Sequence, residues 1–174
     1  EELAGRCARA LERVGYGEHP ARLIAESLVL AELRGIHSHG LIRLPIYIER
    51  TRRGLIDPGA VPAPVSETAA IAALDARDGH GIPAGVRAMD LAIEKARVCG
   101  VGVVTVRRSN HFGIAWYFAW RAVEQDMIGA YRLFSIASSQ GMAVATQTLE
   151  NLALLMTDEE ISEAQRETPG SQSR

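Results

Sequence analysis

Apolar residues recur at helical spacing from the first positions of the chain: Leu3, Cys7, Leu11 and Val14 share one face, and Gly15-Tyr16-Gly17 ends the run. The spacing predicts a short amphipathic helix. Residues 21–34 contain neither Gly nor Pro, are rich in Ala, Leu and Glu, and stop at Gly35, which suits a left-handed cap, so a second helix is predicted there. Pro45 is at home in the first turn of a helix. A turn or short helical piece over 38–43 and a helix over 45–53, closed by Gly54, follow from it. Pro58, Gly59, Pro62 and Pro64 make 57–66 an extended surface connection, and 68–74 reads as a short apolar strand. Residues 78–85 read as a tight turn ahead of a helix over 86–99, which Gly100 breaks. The run Val101-Gly102-Val103-Val104-Thr105-Val106 predicts a buried strand, 107–113 a loop, and 114–125 a helix. Beyond these, 127–136 begins as a strand, 140–156 is a helix weakened by Gly141 and several threonines, and 158–174 is a polar, frayed end.

The order is α/β in character: N-terminal helices followed by a mixed sheet with flanking helices. Ligands of such sheets gather at the carboxyl ends of strands, and the loop that carries His111 falls at one of these ends. With 174 residues and 47% hydrophobic composition, the chain can build a real core. A formal charge of −2 gives no reason to expect a nucleic acid or an anionic membrane as partner. Cys7 and Cys99 lie far apart without metal-type spacing, which fits a reducing, cytoplasmic setting, and no apolar run is long enough to span a bilayer.

Chemistry concentrates in Gly35-Ile36-His37-Ser38-His39-Gly40-Leu41-Ile42-Arg43-Leu44-Pro45-Ile46-Tyr47. An imidazole can hand a proton to a developing alkoxide, and a guanidinium fork grips a carboxylate through parallel hydrogen bonds. Together they suit a small hydroxy or keto acid. The apolar neighbours of this segment anchor it and aim His39 and Arg43, whereas His37 reads more simply as solvated. In Ser109-Asn110-His111-Phe112-Gly113, either Ser109 or Asn110 caps the next helix and leaves His111 idle, or His111 joins a site. The glycines of Gly79-His80-Gly81 and Gly85 do not match the dinucleotide fingerprint, because the last comes one position late and Pro83 intervenes. The histidines could be assembled into the metal site of a hydrolase, but no carboxylate stands at ligand spacing, and no metal is expected. Ser38 and His39 are not expected to form a nucleophile and base pair, since adjacent side chains on a turn generally diverge.

Ser38-His39-Gly40 with Arg43, Leu44, Pro45 and Tyr47, followed by Gly54-Leu55-Ile56 and a Pro, resembles the type 2 malate/L-lactate dehydrogenase family, which includes ureidoglycolate, sulfolactate and diketogulonate dehydrogenases. A second block carries the same resemblance: Ala88-Met89-Asp90-Leu91-Ala92-Ile93-Glu94-Lys95-Ala96, Gly100-Val101-Gly102-Val103-Val104, and Ser109-Asn110-His111-Phe112-Gly113. The resemblance implies hydride transfer between NAD or NADP and a small 2-hydroxy or 2-keto acid, on a fold other than the usual Rossmann one. It implies His39 or His111 as the acid/base, Arg43 on the substrate carboxylate with Ser38 and Tyr47 binding the substrate through hydrogen bonds around it, and a homo-oligomer, such as a homodimer. The matching motifs end near Gly129. Residues 1–130 are therefore expected to form the dehydrogenase-like region and 131–174 a divergent, partly disordered segment of a truncated or rearranged enzyme. The alternative is a non-catalytic remnant that binds a partner chain.

Overall fold

The computed structural model describes residues 2–124 together with 150, 153 and 161; the strand, helix and frayed end read from sequence beyond 125 lie outside the described residues. Two compact units divide the chain, 1–118 and 119–174. The first begins with α1 (Glu2–Glu12) and α2 (Glu18–Leu33), continues through a 3-10 turn (His37–His39) into α3 (Arg43–Arg52), and then forms β1 (Ala63–Glu67), β2 (Ile71–Asp75), α4 (Gly81–Cys99) and β3 (Val103–Arg107). The last helix, α5 (Ala115–Glu124), starts in the first unit and its residues from 119 onward belong to the second. The sheet order is β1-β2-β3, with β1 antiparallel to β2 and β2 parallel to β3. This is an α/β fold with helices ahead of a small mixed sheet, as the order of sequence patterns implied.

Each helix is placed by the stripe it buries. Cys7 and Leu11 of α1 sit one turn apart, and Ala21, Ile24, Ala25, Leu28 and Ala31 of α2 recur at intervals of three and four. Such residues meet on one face. Of these, Leu11, Ala21, Ile24, Leu28 and Ala31 close on Tyr16, Tyr47, Ile56, Ile82, Val86, Ile114 and Phe118 in one core. Fully burying a Leu or Ile side chain contributes about 1.5–3 kcal/mol, so this cluster fixes the helices against one another. A smaller core pins α4 to the sheet through Ala72, Leu74, Ala88 and Leu91, with Val104 and Val106 packed against it.

Four expectations change. Helix α2 starts at Glu18 rather than 21, since Pro20 falls within its first turn, where no backbone donor is needed. The connection over 57–66 contains a strand, β1: Pro64 is tolerated because β1 lies at the sheet edge, where a bulge between Pro64 and Ser66 absorbs the missing donor. The turn read over 78–85 is largely the first turns of α4, which begins at Gly81 with Pro83 as its third residue. Strand β3 is not the buried strand expected, since none of its residues is fully buried. Val104 and Val106 pack toward α4, whereas Val103 is 48% exposed, because the described helix layer covers one face of the sheet.

Beyond β2 and β3 the chain is held by charge. Asp75 accepts from Arg108 Nε at 2.8 Å, Arg107 Nε at 3.1 Å and the Arg77 backbone N–H at 2.9 Å. These donors, the Arg108 guanidinium first, hold its carboxyl down at about 2. The cluster stabilises three non-glycine residues in the left-handed region, Arg77, Asp78 and Arg108 at φ 51, 63 and 48°. The backbone therefore leaves β3 along a fixed path into the loop that carries Asn110 and His111.

Candidate active site

His39 ends the 3-10 turn, and Arg43 and Tyr47 lie one turn apart on α3, so the three fall on one side of the junction between these elements. His111 arrives from the loop after β3, and the His39 and His111 rings stack with centroids 5.3 Å apart and planes inclined by 28°. Tyr47, only 2% exposed, sends its hydroxyl to His111 Nδ1 at 2.7 Å. Ser38 Oγ lies 2.9 Å from His39 Nδ1, so these adjacent side chains converge, contrary to the expected divergence. The 3-10 turn bends the backbone tightly enough to bring them together. Arg43 gives its Nε to the Ser38 carbonyl, and its two terminal nitrogens have no partner among the described residues.

The loop is braced from behind. Asn110 does not cap α5; its amide donates to the carbonyls of Asp78 at 3.0 Å and Gly79 at 3.2 Å, while its oxygen accepts from Arg50 at 3.0 Å. Gly81, the first residue of α4, is pressed onto this loop: a Cβ there would collide with the carbonyls of Asn110 and His111. Gly113 adopts a φ of 80°, which turns the chain into α5 with its Cβ position 3.1 Å from Ser27 Oγ. A side chain at Gly81 would displace the His111 backbone, and one at Gly113 would be strained by the positive φ.

Hydrogen positions separate the imidazoles. The Gly113 backbone N–H donates to His111 Nδ1 at 3.3 Å, so that nitrogen is an acceptor and the neutral ring keeps its hydrogen on Nε2. Burial, then the Arg43 and His39 charges, push the His111 imidazolium further out of favour. His80 is pinned the same way: it is the N-cap of α4, its Nδ1 accepts from the Ile82 N–H at 3.2 Å, and burial drives its titration down to about 3. His39 differs. Its Nδ1 faces a hydroxyl that can rotate to donate or accept, so this nitrogen keeps its partner with or without a hydrogen. Burial raises the Tyr47 phenol to about 12, which keeps it a neutral donor.

All five residues singled out from sequence, Ser38, His39, Arg43, Tyr47 and His111, thus lie in one neighbourhood. Ser38 and Tyr47 direct their hydroxyls at the two imidazoles. His37 points away and pairs with Glu32 at 2.9 Å on the surface. His80, which the sequence brings in only as a conceivable metal ligand, joins this neighbourhood through its ring, edge-on to Tyr47 at 4.3 Å. The signal was Pro83: a Pro so placed marks a helix's first turn, which makes His80 its cap. No signal for the Arg50–Asn110 brace exists in the sequence. Among the described residues no group of three or more His, Cys, Asp or Glu could hold a metal ion, and both cysteines are free thiols. Nor is any described helix long and apolar enough to cross a membrane.

The profile of the family described as malate/L-lactate dehydrogenase matches residues 1–152. Malate dehydrogenase from Pyrococcus abyssi is 40% identical over 152 residues, covering 87% of this chain and 41% of that protein. L-sulfolactate dehydrogenase from Methanocaldococcus jannaschii is 44% identical over 119 residues, 68% of this chain and 35% of that protein. The structure of malate dehydrogenase from Pyrococcus horikoshii OT3 superposes with a TM-score of 0.69 at 38% identity, over 71% of this chain and 35% of that one. The chain therefore spans 35–41% of the length of these relatives. On the strength of the profile, and of the sequence and structural likeness together, it belongs to the malate/L-lactate dehydrogenase family.

Proposed function

We propose that this chain carries the acid-binding and proton-handling side of an NAD- or NADP-dependent dehydrogenase that interconverts a small 2-hydroxy acid and its 2-keto acid. The observation that carries the reading is an unspent guanidinium fork beside two stacked imidazoles. The terminal nitrogens of Arg43 match the two oxygens of a carboxylate, and a group bound there presents its C2 oxygen to the histidines. His111, held neutral with hydrogen on Nε2, donates to that oxygen. His39 exchanges the proton, giving it to the carbonyl oxygen in reduction and taking it from the hydroxyl in oxidation. Such proton transfer by a positioned side chain is worth about 10²–10⁴ in rate.

A nicotinamide cofactor supplies or accepts the hydride at C2 in enzymes of this chemistry. Gly81 and Gly85 do not form a cradle for it. The glycines that would have to admit a dinucleotide are closed by the chain's own atoms, Gly81 by the loop at 110–111 and Gly85 by the ring of Phe118. No hydride step is therefore assigned to them.

The roles of the two imidazoles are tested by His39→Ala and His111→Gln, with the rate of the chemical step measured in single turnover. A glutamine amide can replace an Nε2–H donor but cannot carry a proton. The expected result is a loss of about 10²–10⁴ at His39 and a distinctly smaller one at His111. Equal losses would contradict the division of roles, and negligible losses at both would contradict the site.

A further inference from the structure

His80 has no part in the function just described, yet it is the most deeply buried imidazole in the neighbourhood, at 4% exposure. Its Nδ1 is used as the acceptor for the Ile82 N–H, so Nε2 carries the hydrogen. That nitrogen is fully buried and has no partner among the described residues. A buried donor left without a partner is costly, and folded proteins satisfy most such groups, often with internal water.

A recess beside the ring is lined by His80, Tyr16, Asp57, Pro58, Pro62 and Pro83 and offers about 20 Å³ for the centre of a small molecule. One water needs roughly 10–15 Å³ by this measure. The two other polar lining residues are both acceptors. Thr51 donates its hydroxyl to the Tyr47 carbonyl at 2.9 Å, so it accepts from the Tyr16 hydroxyl at 2.9 Å. The Tyr16 hydrogen is thereby used, and its oxygen keeps a free lone pair. Asp57 takes the Gly59 N–H at 2.9 Å on Oδ1 and keeps Oδ2 for another donor. An occupant must accept once, from His80, and donate twice, to Tyr16 and Asp57. Water meets this pattern. An anion would face the Asp57 carboxylate, and a metal ion would face the hydrogen on Nε2.

We infer that the recess holds one internal water linking His80 Nε2–H to Tyr16 and Asp57, and that His80, fixed by it, is a positioning residue for Tyr47 and through Tyr47 for His111. The His80 ring stands against Tyr47 at 4.3 Å and 87°, and the Tyr47 hydroxyl holds His111 Nδ1 at 2.7 Å. The chain from His80 through water, Tyr16 and Thr51 ends on the Tyr47 carbonyl, so both the ring and the backbone of Tyr47 are braced. The importance of this brace for catalysis rests on the function proposed above; the water site does not.

The test is a crystal structure of the protein at a resolution that shows ordered water, combined with side-chain ¹⁵N NMR of His80 and His111, neither of which needs substrate or cofactor. The expected result is one water within hydrogen-bond reach of His80 Nε2 and Tyr16 Oη, and an Nε2–H signal for His80 that exchanges slowly. A dry recess, a side chain bonded to Nε2, or hydrogen on Nδ1 would overturn the water site. His80→Asn keeps an acceptor for the Ile82 N–H but removes the ring, and it should shift the His111 ring nitrogens in a chain that is still folded. Should that variant not fold, Tyr16→Phe serves: it removes one acceptor of the water and should move the His80 Nε2 signal and, more weakly, that of His111. Unchanged His111 signals in a folded variant would overturn the positioning role, and activity measured on the same variants would separate that outcome from failure of the dehydrogenase reading.

Discussion

Two polar clusters hang from the one loop that leaves β3, and they are built on opposite terms. In the first, Arg107 and Arg108 converge on Asp75, whose carboxylate accepts from both guanidinium groups and from a backbone N–H. Charge is matched and lone pairs are filled. In the second, three residues further on, His111 meets His39, Tyr47 and the guanidinium of Arg43, with no carboxylate among the bonded groups. Hydrogen bonds fix these side chains from behind, yet among the described residues the Arg43 fork is unspent. A saturated cluster holds the backbone still, and the unsaturated one beside it keeps binding capacity for a negative ligand. The ion cluster thus serves as the mount for the histidine cluster.

The contrast is broken most severely by Asp75→Asn, which leaves Arg107 without its anion and Arg108 with only the longer contact to Asp78 at 3.7 Å. The loop over 108–113 should loosen, and the acid limb of stability should flatten. The sign follows from the depressed carboxyl: Asp75 titrates near 2 in the fold against an ordinary 3.8. Its stabilising contribution is therefore complete above the unfolded value and is lost as pH falls from there toward 2. Urea unfolding midpoints at pH 7 and pH 3 should converge in Asp75→Asn relative to the parent. A parent-like pH slope in the variant would deny the cluster its role.

A smaller effect is expected from Tyr47→Phe, which removes one hydroxyl and leaves the ring that fills the core. The phenol donates to Nδ1 only while His111 is neutral, so its loss should raise the His111 titration, with a cost of about 0.5–1.5 kcal/mol for the missing bond. An NMR titration of the His111 ring reads the direction. A fall, or no change, would mean that the hydroxyl does not hold the neutral tautomer.

How much of this was legible beforehand depended on distance along the chain. The helices announced themselves through Leu3, Cys7 and Leu11, or through Gly35 and Gly54, because helical periodicity and caps are local. His39, Arg43 and Tyr47 were legible for the same reason, and His111 through its place after a strand. What a strand packs against is not local. Val103 looked like core because every neighbour is apolar, and its exposure is decided by how far α4 reaches across the sheet. The Gly79-His80-Gly81 run suggested a turn, and only packing against 110–111 explains Gly81. Ser38 and His39 converge through a 3-10 turn, a geometry that residue types alone do not specify. Asn110 braces a turn some thirty residues away instead of capping its own helix.

The most direct measurement of the central claim is a crystal structure with an oxamate-like analogue of a 2-keto acid, with binding to Arg43→Met titrated alongside. The expected result is a carboxylate seated on the terminal nitrogens of Arg43, the neighbouring oxygen within hydrogen-bond reach of His39 and His111, and an affinity about ten- to a hundredfold weaker in the variant. An analogue bound away from this fork, or held equally well by Arg43→Met, would contradict the account.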